Sequence, residues 1–201
     1  YKDIADQKGP LWFLFMMLLD KIPIKTTTVI WITEVIMIGL FSVLQYKIIN
    51  IKLKNKQKSQ IYAFLTTMLY VFSFPLWFVG GVCIEEYSVV LISLQLYIVL
   101  KNESEELNKM DCMLLGVTSS IMFLTKYVSL VPTVVLAATV IISYIKTKKP
   151  IKAYVNTILH FIIGFMPLVL LCIAYLVKNG TLSDCIQIYF YDNIFSYKTP
   201  I

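Results

Sequence analysis

The chain contains no arginine: all 18 of its cationic residues are lysine. That removes the planar, bidentate reader on which most phosphate and nucleic-acid recognition relies. The net charge of +6 therefore does not indicate a nucleic-acid partner. Cysteine is equally uninformative as a ligand. Cys83, Cys112, Cys172 and Cys185 form no CxxC pair and share no metal-ligand spacing with the one histidine, His160, so buried apolar thiols are the expected reading. Acidic residues are few, at 12, and no acid interrupts the stretch between Glu34 and Glu85. What fills the space is apolar. Of 201 residues 58% are hydrophobic, the mean hydropathy is +0.75, and the apolar residues come in long blocks, not the periodic stripes of a soluble domain.

Blocks of this length predict an all-α, polytopic transmembrane helix bundle in the cell membrane. The run Leu11 to Leu19 is about half the ~20 residues a spanning helix needs. Pro10, Asp20 and Pro23 close it off, so residues 10–20 are expected to form an interfacial helix, with Trp12, Phe13 and Phe15 at headgroup level. A short re-entrant segment is the alternative. Spans are expected at about 26–46, 61–82, 87–100, 112–124, 127–145 and 153–177. Residues 101–110 read as a solvated loop. Within the spans, His160 reads as a hydrogen-bonded packing residue, and Glu34 as a carboxylate facing other helices.

Lysine placement orients the bundle. The loops around 47–60, 101–110 and 146–152 hold eleven lysines, against seven in the longer remaining segments. The excess marks the cytoplasmic side and puts the N-terminus outside. Asp3, Asp6, Lys8, Glu85, Glu86 and Lys126 then share the outer face.

The pair Glu85-Glu86 is the sharpest local feature, because carboxylates beside hydrocarbon are expensive and mark functional sites by default. A short polar turn is the plainer explanation. The dipole at a helix N-terminus would hold the pair ionised. Lys126, near the outer face, is either a functional residue or a lysine that snorkels to the interface.

Three segments carry a family resemblance: Asp6-Gln7-Lys8-Gly9-Pro10-Leu11, Gly80-Gly81-x-x-x-Glu85-Glu86-Tyr87 and Phe123-Leu124-Thr125-Lys126. In order and side, they resemble the GT-C membrane glycosyltransferases that use polyprenyl-phosphate sugars. These are the protein O-mannosyltransferase and aminoarabinose-transferase kind, with their bacterial lipopolysaccharide and wall-polysaccharide relatives. The resemblance covers essentially the whole chain and corresponds to the family's part after its first helix and first outer loop. It implies sugar transfer from a polyprenyl-phosphate donor, a membrane lipid, to an acceptor glycan, lipid or protein. Asp6, Glu86 or Glu85 would be the acids near donor or metal, and Lys8 and Lys126 would meet phosphate. The family's catalytic base would lie upstream of Tyr1 and further helices beyond Ile201, so this fragment alone is expected to be inactive. A divalent cation is a possible cofactor. A membrane transporter or lipid-handling protein without chemistry is the competing class, since charged residues in membrane segments also mark transport paths.

The orientation is testable without a structure. In a background stripped of reactive native thiols, a cysteine replacing Lys54 should be labelled only after permeabilisation, and one replacing Ser183 in intact cells. The opposite pattern would invert every assignment to the outer face.

Overall fold

A computed structural model describes residues 8–77, 83–103 and 105–196. Among these residues there is helix and no strand. The order is α1 (Pro10–Asp20), α2 (Thr26–Leu53), α3 (Lys56–Trp77), α4 (Ile84–Lys101), α5 (Lys109–Thr125), a 3-10 turn (Tyr127–Leu130), α6 (Val131–Lys146), α7 (Ile151–Lys178), α8 (Leu182–Cys185) and a π-helical segment (Ile186–Ser196). Three stretches are long and apolar enough to cross a membrane: Thr26–Leu53, Tyr127–Lys146 and Ile151–Lys178. Only 6% of the apolar window in Tyr127–Lys146 is buried, leaving Val131, Val134, Val135, Ile141 and Ile142 exposed. Surface of that kind is stable only against another apolar phase.

The termini of the helices follow from local chemistry. Pro10 opens α1 at a position where its missing N–H costs nothing. Helix α2 continues past the expected limit near residue 46, because Ile48, Ile49, Ile51 and Leu53 keep an apolar thread among the lysines. It stops where Lys54 turns left-handed, with φ 51°. The Asn55 side chain then accepts from the Lys58 N–H at 3.0 Å and starts α3. Asn108 caps α5 in the same way, accepting from Asp111 N–H at 2.8 Å, while its own amide donates to the Asp111 carboxylate. The segment 101–110 is not wholly solvated. Leu107 is buried and its N–H donates to Tyr144 Oη at 3.0 Å.

Consecutive long helices run antiparallel. One end of the bundle collects the α2/α3, α4/α5 and α6/α7 turns, tied by the Lys52–Glu103 ion pair and by Ser143 Oγ donating to the Glu103 carbonyl. Helix α4 is central, and Gln95 and Ser93 on it are bonded to neighbouring helices. Gln95, fully buried, donates to Thr118 at 3.0 Å and Ser119 at 3.1 Å on α5, and accepts from Thr133 on α6 at 2.7 Å. Gln45 on α2 donates to Ser93 on α4. Such cross-helix bonds fix the rotation of each helix where apolar contact alone would let it turn.

Helices α5 and α7 approach most closely, through Gly116 and Gly164. A β-carbon on Gly116 would lie 2.2 Å from the Phe161 carbonyl oxygen, and one on Gly164 2.1 Å from that of Met113. Both obstacles are backbone, so neither can swing aside. Gly116→Val and Gly164→Val should each destabilise the bundle by about 1–3 kcal/mol or more. Gly39→Val, at a position with nothing within 4 Å, is the matched control. Thermal unfolding in lipid checks this: equal melting temperatures for all three variants would mean that α5 and α7 are not held at this distance.

Candidate functional site

At the other end of the bundle, helix α5 is broken where its last turn would otherwise run into α6. Pro132, in the first turn of α6, has no N–H to give the preceding turn. Lys126 adopts an extended backbone, with φ −159° and ψ 101°. The break leaves the Phe123 carbonyl without its usual partner, the Tyr127 N–H four residues on. The Tyr189 hydroxyl is inserted between the two. It donates to Phe123 O at 2.6 Å and accepts from Tyr127 N–H at 2.7 Å. The Thr125 carbonyl is met from the other side by the Gly9 N–H at 2.6 Å. Gly9 has no alternative at this spot, since a β-carbon there would be 2.0 Å from Leu124 O.

This junction presents the Lys126 side chain to α4. Cys83 is the N-cap of that helix, and Glu85 and Glu86 occupy its first turn. Glu85 and Lys126 form an ion pair, half-buried on both sides. Burial pushes the Glu85 carboxyl up, but the Lys126 hydrogen bond and the charges of Lys126 and Lys8 outweigh it and hold the group below the usual carboxylate range. Lys8 also acts on Cys83, whose thiol is pushed up by burial first and by the two glutamates second. Lys8, Glu85 and Lys126 thus share one neighbourhood.

Glu86 is turned away from it, one residue and about 100° further round the helix. It is 2% exposed, beside Tyr70 of α3, whose hydroxyl donates to the Glu86 main-chain carbonyl at 2.8 Å. Glu34 of α2 and Glu86 both act on the Tyr70 and Tyr87 hydroxyls, giving a second, deeper acidic neighbourhood among α2, α3 and α4. Asp3, Asp6, Gly80 and Gly81 lie outside the described residues. His160 bonds through Nδ1 with the Asn156 carbonyl within its own helix. None of the four cysteines is in a disulfide, and Cys112, Cys172 and Cys185 are buried.

Helix α1 lies over this end. Trp12 is 5% exposed and packs edge-on against Tyr87, with ring centroids 5.5 Å apart; Phe15 meets the same ring at 5.7 Å. The aromatic residues expected at headgroup level are therefore partly spent on seating α1 against α4. Beneath it lies an apolar cavity of about 410 Å³, lined by Trp12, Phe15, Ile84, Tyr87, Leu91 and Thr125, among others. Ile84 and Thr125 are the chain neighbours of Glu85 and Lys126, so cavity and charges adjoin.

Two lysines against one half-buried carboxylate favour an anion. A cation fits less well: among the described residues no three His, Cys, Asp or Glu side chains converge as a metal would require. Neither Tyr189 nor the Trp12–Tyr87 contact had a readable signal, since each depends on segments far apart in the chain meeting. No protein-family model, curated protein or solved structure matches this chain. Fold and site define a helical protein with, among the described residues, three helices able to cross a membrane and a cationic cluster beside an apolar cavity.

Tyr189→Phe keeps the ring and removes both bridging bonds. The variant should lose about 1–3 kcal/mol of stability, the cost of leaving buried groups unmet. The Tyr127 amide should exchange faster in hydrogen-exchange measurements, while amides in the middle of α7 keep their protection. Unchanged exchange at Tyr127 would show that the break does not depend on Tyr189.

Proposed function

We propose that this chain is part of a multi-pass cell-membrane glycosyltransferase that moves a sugar from a polyprenyl-phosphate donor to an acceptor at the outer face. In this reading the six expected spans form one bundle, and α1 lies at the membrane surface. The observation that carries it is the adjoining of Lys8, Glu85 and Lys126 to the apolar cavity under α1. A prenyl-phosphate sugar has the same two-part chemistry, an apolar chain joined to an anionic phosphate.

The reaction requires the acceptor oxygen to attack the anomeric carbon as the bond from that carbon to the phosphate oxygen breaks. Negative charge grows on the departing phosphate, and a preorganised ammonium group stabilises it more in the transition state than in the ground state. Lys126 fills that role, with Glu85 holding its side chain in place and Lys8 adding charge. The acceptor proton goes to a base outside this chain. Asp6 remains a proposed acid near the donor, and Glu85 holds the place beside Lys126 that Glu86, buried beside Tyr70, does not reach.

A second reading, a transporter without chemistry, draws on the placement of Glu34 and Glu86 with Tyr70 and Tyr87 inside the helices. In the full-length protein supplied with radiolabelled polyprenyl-phosphate sugar, Lys126→Gln should lower the transfer rate by about 100-fold or more. Asp6→Asn should abolish most transfer while insertion is retained, and Glu85→Gln, which releases the Lys126 side chain, should cost more than Glu86→Gln. Movement of intact donor across the membrane, without release of prenyl phosphate, would favour the transporter and end the enzymatic reading.

A further inference from the structure

The opposite end of the bundle carries a second feature that the proposed reaction does not use. Helices α6 and α7 are joined by a four-residue turn, 147–150, which closes through Lys149 N–H to the Tyr144 carbonyl and through Lys148 in the left-handed region, φ 52°. Lys146, Lys148 and Lys152 are exposed there and Lys149 is half-buried. The sequence has no acid between Asp111 and Asp184, and among the described residues none of these four lysines is in an ion pair. Lys52 and Lys101, at the same end, are neutralised by Glu103 and Asp111. The α6/α7 turn is thus a local excess of positive charge.

From this turn a groove of about 460 Å³ runs along the bundle between α6 and α7, floored by α4 and α5. Tyr144, Tyr154 and Thr157 line it near the turn, and Val134, Phe161 and Phe165 further in; no charged side chain borders it. Its polar groups are engaged internally. Tyr144 Oη meets Leu107 N–H and Thr157 Oγ1, and Gln95 meets Thr118, Ser119 and Thr133. Apart from the Tyr154 hydroxyl near the turn, the walls therefore offer apolar contact and polar groups that are already engaged.

We propose that this groove and its turn bind one anionic phospholipid of the surrounding bilayer, with a fatty-acyl chain between α6 and α7 and the phosphate on Lys148, Lys149 and Lys152. Length supports a single leaflet. From Tyr154 to Phe165 the wall extends about 16 Å at 1.5 Å per residue, roughly half of a ~30 Å hydrocarbon core. That matches one acyl chain and is too short for a polyprenyl chain. Charge supports the headgroup, because unpaired lysines at a membrane edge attract anionic lipid. The inference does not rest on the proposed reaction, whose residues lie at the other end.

The test uses the full chain in bilayer nanodiscs with chain-spin-labelled phosphatidylglycerol or phosphatidylcholine, reading the motionally restricted fraction. The unaltered protein should restrict phosphatidylglycerol in preference to phosphatidylcholine. K148Q/K149Q/K152Q should reduce that preference by about tenfold or more. K54Q/K56Q/K58Q, an equal loss of charge at the α2/α3 turn, should leave it intact. Val134→Trp, which fills the groove, should abolish the preference for phosphatidylglycerol and leave the two lipids equally restricted at the remaining apolar surface; Ala137→Leu serves if the tryptophan variant does not insert. The proposal is overturned by equal losses in the two lysine triples, which would mean diffuse charge only. It is also overturned by a phosphatidylglycerol preference that survives groove filling, or by no such preference in the unaltered protein.

Discussion

The structure at the candidate site depends on one hydroxyl. Tyr189 sits between a carbonyl and an N–H that an unbroken helix would join directly, and it satisfies both. A helix break among apolar helices exposes backbone groups that have no water to turn to, and each unmet group costs on the order of a kilocalorie or more. With Tyr189 on one side and the Gly9 N–H on the other, the break between α5 and α6 is stable and Lys126 leaves the helix axis. The ion pair to Glu85 follows from that departure.

The same junction links elements distant in the chain. Gly9 lies before α1, Lys126 between α5 and the 3-10 turn, and Tyr189 beyond α7. The close α5–α7 packing at Gly116 and Gly164 brings the C-terminal end of α7 and the segment after it to the end of α5. Tyr189 itself rests in an apolar cluster with Leu124, Val169, Cys172, Leu176 and Cys185, supported by the rings of Tyr127 and Phe190. Helix spacing and site geometry are therefore one problem: a change in the α5–α7 distance moves the hydroxyl, and with it the lysine.

The bundle also separates its charges by end. Near the candidate site, Lys126 is drawn towards a single carboxylate beside an apolar cavity. At the far end, lysines either pair with Glu103 and Asp111 or stand exposed on the α2/α3 and α6/α7 turns. Between the two ends, polar side chains on α4 are hydrogen-bonded across helix boundaries, as apolar surroundings demand. Glu34 and Glu86 carry carboxyl groups into the helices, near two tyrosines.

Helix existence was legible in the sequence because unbroken apolar blocks of sufficient length leave a chain little choice but to satisfy its backbone internally. The apolar parts of Thr26–Leu53 and Ile151–Lys178 follow from composition, although α2 continues as helix into the lysine-rich stretch expected to be a loop. The sequence also singled out Glu85, Glu86 and Lys126, since charge beside hydrocarbon stands out wherever it occurs. It did not divide their roles. Glu85 reaches Lys126 while Glu86 is buried beside Tyr70, a difference of one residue of helical phase that only the packing of α3 and α5 around α4 decides. Tyr189 and Trp12 were invisible for a related reason: their functions are contacts made across the chain, and an aromatic residue in an apolar run looks the same whether it faces lipid, a neighbouring ring or a broken helix.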